Sequence, residues 1–393
     1  MEYKIKLETI KNSKNQDTIK ATFYRKKSRA WAAAPSGTSA GKHEAVSMPK
    51  PPHSLIKNAN RHLHTLEGIE SQQEFDSTLR RIDGTNNFSN LGASVSIALS
   101  LAYAKFSSAI KNKELFQTSK RPRIPWQLGL LIAGGTHGKQ SIDIQEILAL
   151  PKTKDPIDSI QANQQLYAIT QQAIKKRVPG YKPRLDLEGG YLVNTTNENA
   201  LEITQAAIDK YMENHNTKIH LGVDVAASEL WNERTKKYKY AHQSLTTIEQ
   251  LQYIHDLQKQ HKLYYIEDPF NEEDFTTHAK LTKSIGAKAM VCGDDLTTTN
   301  TERLKKAIKA KSINAIIIKP NQIGTVTQAH EAVELAKKHK ITPVMSHRSG
   351  ETRDPIIAQL CVAWDIPIIK ISNKGPTREA KLNELNHIAK KIK

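Results

Sequence analysis

The sequence predicts an α/β protein: an α+β leading domain followed by a barrel of parallel strands alternating with helices. From about Lys218 onward, six strand-like runs end near Asp224, Glu267, Asp294, Lys319, Ser346 and Lys370. Helical patterns such as TTIEQLQYIHDLQKQHK and GTVTQAHEAVELAKKHK lie between or after them. Strands that alternate with helices pair in parallel, and a closed sheet of this kind carries its site at the C-terminal ends of its strands. The leading part of the chain lacks this rhythm, which sets it apart as a different kind of domain.

Residues 1–44 read as short strands, YKIKLETIKN and DTIKATFYRKKSRAWAAA, followed by the loop PSGTSAGKHEA. The Gly, Ser and Thr content of that loop suits mobility and anion contact through backbone and hydroxyl groups. From His53 to Lys111 the pattern turns helical, with Leu91, Val95, Ala98, Leu99 and Ala102 forming a stripe near 3.6-residue spacing. The charged, proline-bearing stretch KNKELFQTSKRPRIPW marks a boundary. The division is a capping domain over 1–122 and a barrel over 123–393.

The chemistry is announced at the strand ends. YYIEDPF ends an apolar run in Glu267 and Asp268, and Pro269 prevents the strand from continuing. KIHLGVDVAAS places Asp224 in the same way, and AMVCGDDL places Asp294 and Asp295. One acid at a strand end serves equally well as a cap for the following helix. Three at successive strand ends of one closed sheet would converge on a single rim, where oxygen ligands can hold a divalent cation.

At 393 residues with a hydrophobic fraction of 38%, the chain can bury a sizeable core. Cys292 and Cys361 lie in apolar contexts without metal or disulfide spacing, which fits a reducing cytoplasm. No run reaches the length of a membrane span, and MEYKIKLETI lacks the apolar core of a signal peptide. The formal charge of +18 comes mostly from lysines scattered along helices, which reads as a solvated surface. It would also steer a small anionic substrate inward, and weak nucleic-acid adhesion stays open.

The strings SGTSAGKHEA, GGTHGKQSIDIQE, GVDVAASELW, IEDPF, GDDLTTTN, IKPNQIGTVTQA and SHRSGET occur in an order that resembles the enolase family over nearly the whole chain. The resemblance implies a small α+β domain followed by an enolase-type (β/α)8 barrel with an atypical early antiparallel segment. It implies a cytoplasmic lyase that interconverts 2-phospho-D-glycerate with phosphoenolpyruvate and water, using two Mg2+ ions per active site, and a homodimer. Position by position, it makes Asp224, Glu267 and Asp294 ligands of one magnesium ion, while Ser39 resembles the ligand that completes the second. Lys319 matches the base at carbon 2 and Glu188 the acid at carbon 3. His347, Arg348 and Ser349 match the groups that hold phosphate and carboxylate, and Lys370 matches a lysine that neutralises the substrate carboxylate. His137, Gln145 and Glu146 match the remaining active-site positions.

These roles make chemical demands. The proton beside a carboxylate is weakly acidic, and its removal needs positive charge around the carboxylate oxygens. Lys319 must be uncharged to act as a base, so its pKa is expected to fall from about 10.4 under the influence of magnesium and Lys370. The chain also departs from the family pattern. NSKNQDT replaces a DSRGNPT-like turn near the usual subunit interface, Leu187 stands before Glu188 where the family usually has aspartate, and ISNKGPTR follows the Lys370 strand without the usual small, glycine-containing segment. Two alternatives differ in what they require. An acid-sugar dehydratase or racemase of the superfamily would lose the SHRSGE and Ser39 features, and an enolase-like binding protein for nucleic acid or another macromolecule would have a broken catalytic set.

Overall fold

The computed structural model describes residues 3–37, 41–138 and 141–392. Strands β1 (Lys4–Lys11), β2 (Asp17–Arg25) and β3 (Ser28–Ala33) form an antiparallel meander. Ile19, Ala21 and Phe23 alternate along β2 and are fully buried, as a sheet with one covered face requires. The cover is the helix Ala93–Ala109. Its apolar stripe suggests one buried face, but it is buried on nearly every side because it also lies against the barrel. Alanine and serine make that close packing feasible, and the serines are satisfied across the junction. Ser96 donates to the Gly324 carbonyl (2.9 Å), and Ser100 accepts the Val326 amide (2.9 Å).

The barrel strands are β4 (Trp126–Ala133), β5 (Glu146–Lys152), β6 (Lys218–Asp224), β7 (Tyr265–Glu267), β8 (Met290–Gly293), β9 (Ala315–Ile318), β10 (Thr342–Ser346) and β11 (Ile368–Lys370). They pair in chain order, and β11 pairs with β4 to close the ring, while Tyr191–Leu192 adds a short flank on β4. Strand β5 runs against both neighbours; every other adjacent pair in the ring is parallel. Helices Asp158–Arg177 and Asn197–Met212 follow β5, and from β6 onward each ring strand is followed by a helix, with a small antiparallel sheet of Trp231–Asn232, Lys237–Lys239 and Ser244–Leu245 set between β6 and its long helix Thr247–His261.

The reversal of β5 has a chemical consequence. Its first residue, Glu146, stands opposite Ala133 on β4 and Asp224 on β6, at the end where the parallel strands finish. The strand ends themselves fall close to the expected positions: Asp224, Glu267, Ser346 and Lys370 close their strands, and Asp294 and Lys319 follow theirs by one residue. Inside the ring, Leu128, Leu130, Leu148, Leu150, Tyr265, Ile317 and Val344 form a dry plug below that rim.

Asp354, almost fully buried, ties the two layers together. Its carboxylate accepts from the Ala33 amide (3.1 Å) at the end of β3, from Lys105 Nζ (2.6 Å) on the long helix and from the Ile356 amide (3.2 Å). Removing it leaves two amides without that partner and takes the carboxylate from Lys105, which keeps the Trp31 carbonyl. Asp354→Ala should therefore cost about 3 kcal/mol and lower the melting temperature by several degrees, with Asp354→Asn recovering part of the loss. Thermal unfolding followed by circular dichroism checks this; an unchanged melt would remove Asp354 from the junction.

Candidate active site

The rim is organised by Lys370, the last residue of β11. Its ammonium lies 2.6 Å from Glu146, 2.8 Å from Asp224 and 2.8 Å from Glu267, which come from β5, β6 and β7. Burial would lower the Lys370 pKa, but these carboxylates outweigh it and hold the group well above its ordinary value. Burial pushes the Glu146 carboxyl well up, with Lys370 offsetting only part of the effect. Glu267 is pushed up to about 8 by burial and then by Asp224, against the pull of Lys370.

A second cluster follows β8. The Asp268 carboxylate accepts the amides of Asp294 (2.9 Å) and Asp295 (2.7 Å), which fixes the turn carrying both acids. Asp268 itself sits in the left-handed region at φ 39°, as does Ala226 at φ 46° after β6. Asp294 pairs with Lys319 and accepts from Gln322 Nε2 at 2.9 Å. Burial opposes its charge, yet Lys319 holds its carboxyl below the ordinary range. Lys319 differs from expectation: its pKa is raised. Burial favours the free amine, and so do Arg348 and Lys370, but the Asp294 and Glu267 carboxylates hold the proton on.

Across the cleft, His347 Nε2 lies 3.1 Å from Glu188 Oε2. The turn behind Glu188 is held by Asp186, whose carboxylate accepts the amides of Glu188 (3.1 Å) and Gly190 (2.6 Å). Asp186 is pushed up to about 7 by burial and by the charge of Glu188. Leu187, the departure from the family pattern, is 57% exposed and directed away from the buried turn. Arg348 makes a two-pronged pair with Glu44 (3.1 and 3.0 Å), at the end of the glycine-rich loop. The same loop forms a β-bridge between Ser36 and Gly350, where a Cβ on Gly350 would come within 2.2 Å of Ser36 Oγ. Only glycine permits that approach.

Of the residues singled out from sequence, Gln145, Glu146, Glu188, Asp224, Asp294, Lys319, His347, Arg348, Ser349 and Lys370 line one cleft, and Glu267 joins them through Lys370. His137 closes the short turn Gly135–His137, with its side chain outside the described residues, as is Ser39. Sequence reasoning did not assign Glu44, Asp186, Asp268, Asp295 or Arg378. The acids adjoin strings already read as functional and could have been found there; Arg378 ends ISNKGPTR, which marks only a departure from the family pattern, and opens the last helix.

The donor set suits a hard divalent cation. Lys319 and Lys370 face Glu146, Asp224, Glu267 and Asp294, Glu267 Oε1 is buried without a hydrogen-bond partner, and Asp268 and Asp295 adjoin them. Among the described residues, two groups bring ligand atoms within 4.8 Å of one another: Glu146, Glu188 and His347, and Asp268, Asp294 and Asp295. Asp224, Glu267 and Asp294 do not form such a group. The ammonium of Lys370 draws the first two together, while Lys319 draws the third.

Comparison with known proteins accounts for both layers. Residues 3–118 match the family model "Enolase, N-terminal domain", and residues 123–393 match "Enolase, C-terminal TIM barrel domain". An enolase of Methanosphaera stadtmanae is 39% identical over 99% of this chain and 96% of its own length. An enolase of Halorubrum lacusprofundi is 36% identical over 98% of both chains, and one of Archaeoglobus fulgidus 36% identical over 96% of this chain and 94% of its own. A ring closed with one reversed strand, an acid-lined mouth and this full-length similarity lead to one conclusion: the chain belongs to the enolase family.

Proposed function

We propose that the chain interconverts 2-phospho-D-glycerate with phosphoenolpyruvate and water, with Lys319 as the base at carbon 2 and Glu188 as the acid at carbon 3. The activity goes with the family: phosphopyruvate hydratase, a hydro-lyase of glycolysis and gluconeogenesis. The observation that best supports the assignment of roles is that Lys319 and the Glu188–His347 pair line the same cleft as Arg348.

In this reading Lys319 Nζ, as the free amine, takes the proton from carbon 2. Burial, Arg348 and Lys370 all favour that form, and Asp294 and Glu267 are the groups that must release their hold. Lys370 neutralises the substrate carboxylate. Arg348, with a planar fork, and Ser349, with a hydroxyl, are suited to phosphate. Glu188 delivers the proton that turns the departing hydroxide into water, with His347 holding one of its oxygens. His137, Gln145 and Glu146 complete the surroundings. Asp224, Glu267 and Asp294 would hold one magnesium ion and Ser39 would complete a second, and the metal supplies the positive charge that a carboxylate needs as its neighbouring carbon loses a proton.

The proposed division of the chain, with 1–122 as cap and 123–393 as barrel, assigns base and acid to the barrel and the covering loop to the cap. A cytoplasmic location is part of the same reading and is supported by the family's glycolytic role; no helix among the described residues is long and apolar enough to cross a membrane. The residues assigned here come from one chain, so a homodimer would not be needed to complete the site. Neither the binding-protein alternative nor another acid-sugar dehydratase is favoured, since full-length relatives are enolases.

The roles separate experimentally. Lys319→Ala should lower turnover by at least about 1,000-fold, measured through phosphoenolpyruvate absorbance. Glu188→Gln should lose net dehydration while still exchanging the carbon-2 proton with deuterated solvent, read by NMR of the substrate. Activity within tenfold of the parent in Lys319→Ala would reject the base, and loss of exchange in Glu188→Gln would reject the division of labour.

The electrostatics give a second expectation. Glu267 titrates near 8 in the folded chain against an ordinary value of 4.5, so between these values the native state holds a proton that the unfolded state has lost. Its contribution to stability therefore falls as pH rises through that window. A cation on the same carboxylate displaces the proton, so magnesium should raise the melting temperature more at pH 8.5 than at pH 6. Paired melts with and without magnesium check this, and an increment that shrinks with rising pH contradicts it.

A further inference from the structure

We infer that Arg378 is a positioning residue that sets the tautomer of His347, so that the imidazole presents an N–H to Glu188. The inference rests on the roles proposed for Glu188 and His347, but its geometry is independent of them. Arg378 lies on the C-terminal helix Pro376–Ile392 and is 2% exposed, among the largest fully buried side chains of the protein. Its Nε lies 3.4 Å from His347 Nδ1. A guanidinium nitrogen can only donate, so Nδ1 must offer its lone pair, and the proton of the neutral ring resides on Nε2. That atom is the one 3.1 Å from Glu188 Oε2.

The same guanidinium does more than orient a ring. Its Nη2 donates to the carbonyls of Arg348 (3.1 Å) and Ser349 (2.9 Å), and its Nη1 to Thr377 Oγ1 (3.0 Å) and Ser13 Oγ (3.3 Å). Ser13 belongs to the turn between β1 and β2 and itself donates to the Ser349 carbonyl at 3.1 Å. One planar group thus pins two backbone carbonyls of the substrate loop and the ring of its histidine. Lysine, with its tetrahedral donors on a flexible stem, cannot reproduce that fork.

Protonating His347 on Nδ1 would set an N–H donor against the N–H donor of a fixed cation and leave Nε2 as an acceptor facing Glu188. The charged groups that act on the ring are Glu188, Arg378 and Glu351, and Glu351 is itself paired with Lys381 at 2.8 Å. Arg378 therefore works in the direction of burial, keeping the ring neutral, whereas the two glutamates favour its cation. Second partners of this kind typically change activity by about 10- to 100-fold when removed.

The test uses histidine-selective nitrogen-15 labelling of the full chain, with the His347 signals assigned by their loss in His347→Asn. The parent protein should show Nδ1 unprotonated and Nε2 protonated from pH 6 to 8.5. Arg378→Met should lose about 10- to 100-fold in kcat/KM, and the acid limb of its pH profile should move upward, toward the ordinary histidine value. A purely structural role would lower the melting temperature without moving that limb. A proton on Nδ1 or a doubly protonated ring in the parent at neutral pH overturns the proposal, as does an unmoved acid limb in Arg378→Met. Because the tautomer is read without turnover, failure of the Glu188 assignment would show separately, as undiminished activity in Glu188→Gln.

Discussion

Carboxylates from β5, β6 and β7 share a single ammonium, that of Lys370 on β11, and the mouth of the barrel depends on this meeting. Removing several carboxylates from water is costly, and a buried acid without a partner would neutralise itself or disrupt the packing around it. The dry plug of leucine, isoleucine and tyrosine beneath the rim keeps the dielectric low, so each charge at the mouth acts strongly on its neighbours. One ammonium offsets the three charges only in part. It also leaves a surplus of acid, with Glu267 Oε1 buried and unmatched, which a bound cation could satisfy.

Chain direction is the second constraint. Parallel strands deliver Asp224, Glu267 and Lys370 to the rim at their last residues, and a strand in the opposite sense delivers its first. Glu146 therefore reaches the mouth only because β5 is reversed. The turns just past the rim are correspondingly tight: Ala226, Asp268, Thr298 and Thr299 all adopt left-handed backbone without being glycine. Asp268 is held there by the two amides that it accepts, so local strain is exchanged for a fixed position of the Asp294–Asp295 turn.

These facts explain which parts of the site could be read in advance. Asp224, Glu267, Asp294, Lys319 and Lys370 end apolar runs, and a strand end is a local property marked by residues such as Pro269. The placement of Glu146 is a tertiary fact, legible only through resemblance to relatives. The helix Ala93–Ala109 shows the same limit, since its stripe reports one covered face while the barrel covers the other. Leu187 looked like damage beside the proposed acid; its side chain is exposed, and Asp186 holds the turn from one position earlier. The proton state of Lys319 depends on Asp294, a neighbour brought close by folding. Arg378 ends ISNKGPTR, a string that carries no assigned chemistry, and only coordinates reveal what its guanidinium touches.

The central claim is that acids gathered from separate strands form a site for a divalent cation beside Lys319. Crystals grown with Mn2+ and measured at the manganese absorption edge address it directly. The account predicts an anomalous peak within ligand distance of Asp224, Glu267 and Asp294, with Lys370 displaced from the first two. A strong peak confined to Asp268 and Asp295, or no peak at the rim with all three acids still held by Lys370 and Lys319, would contradict it.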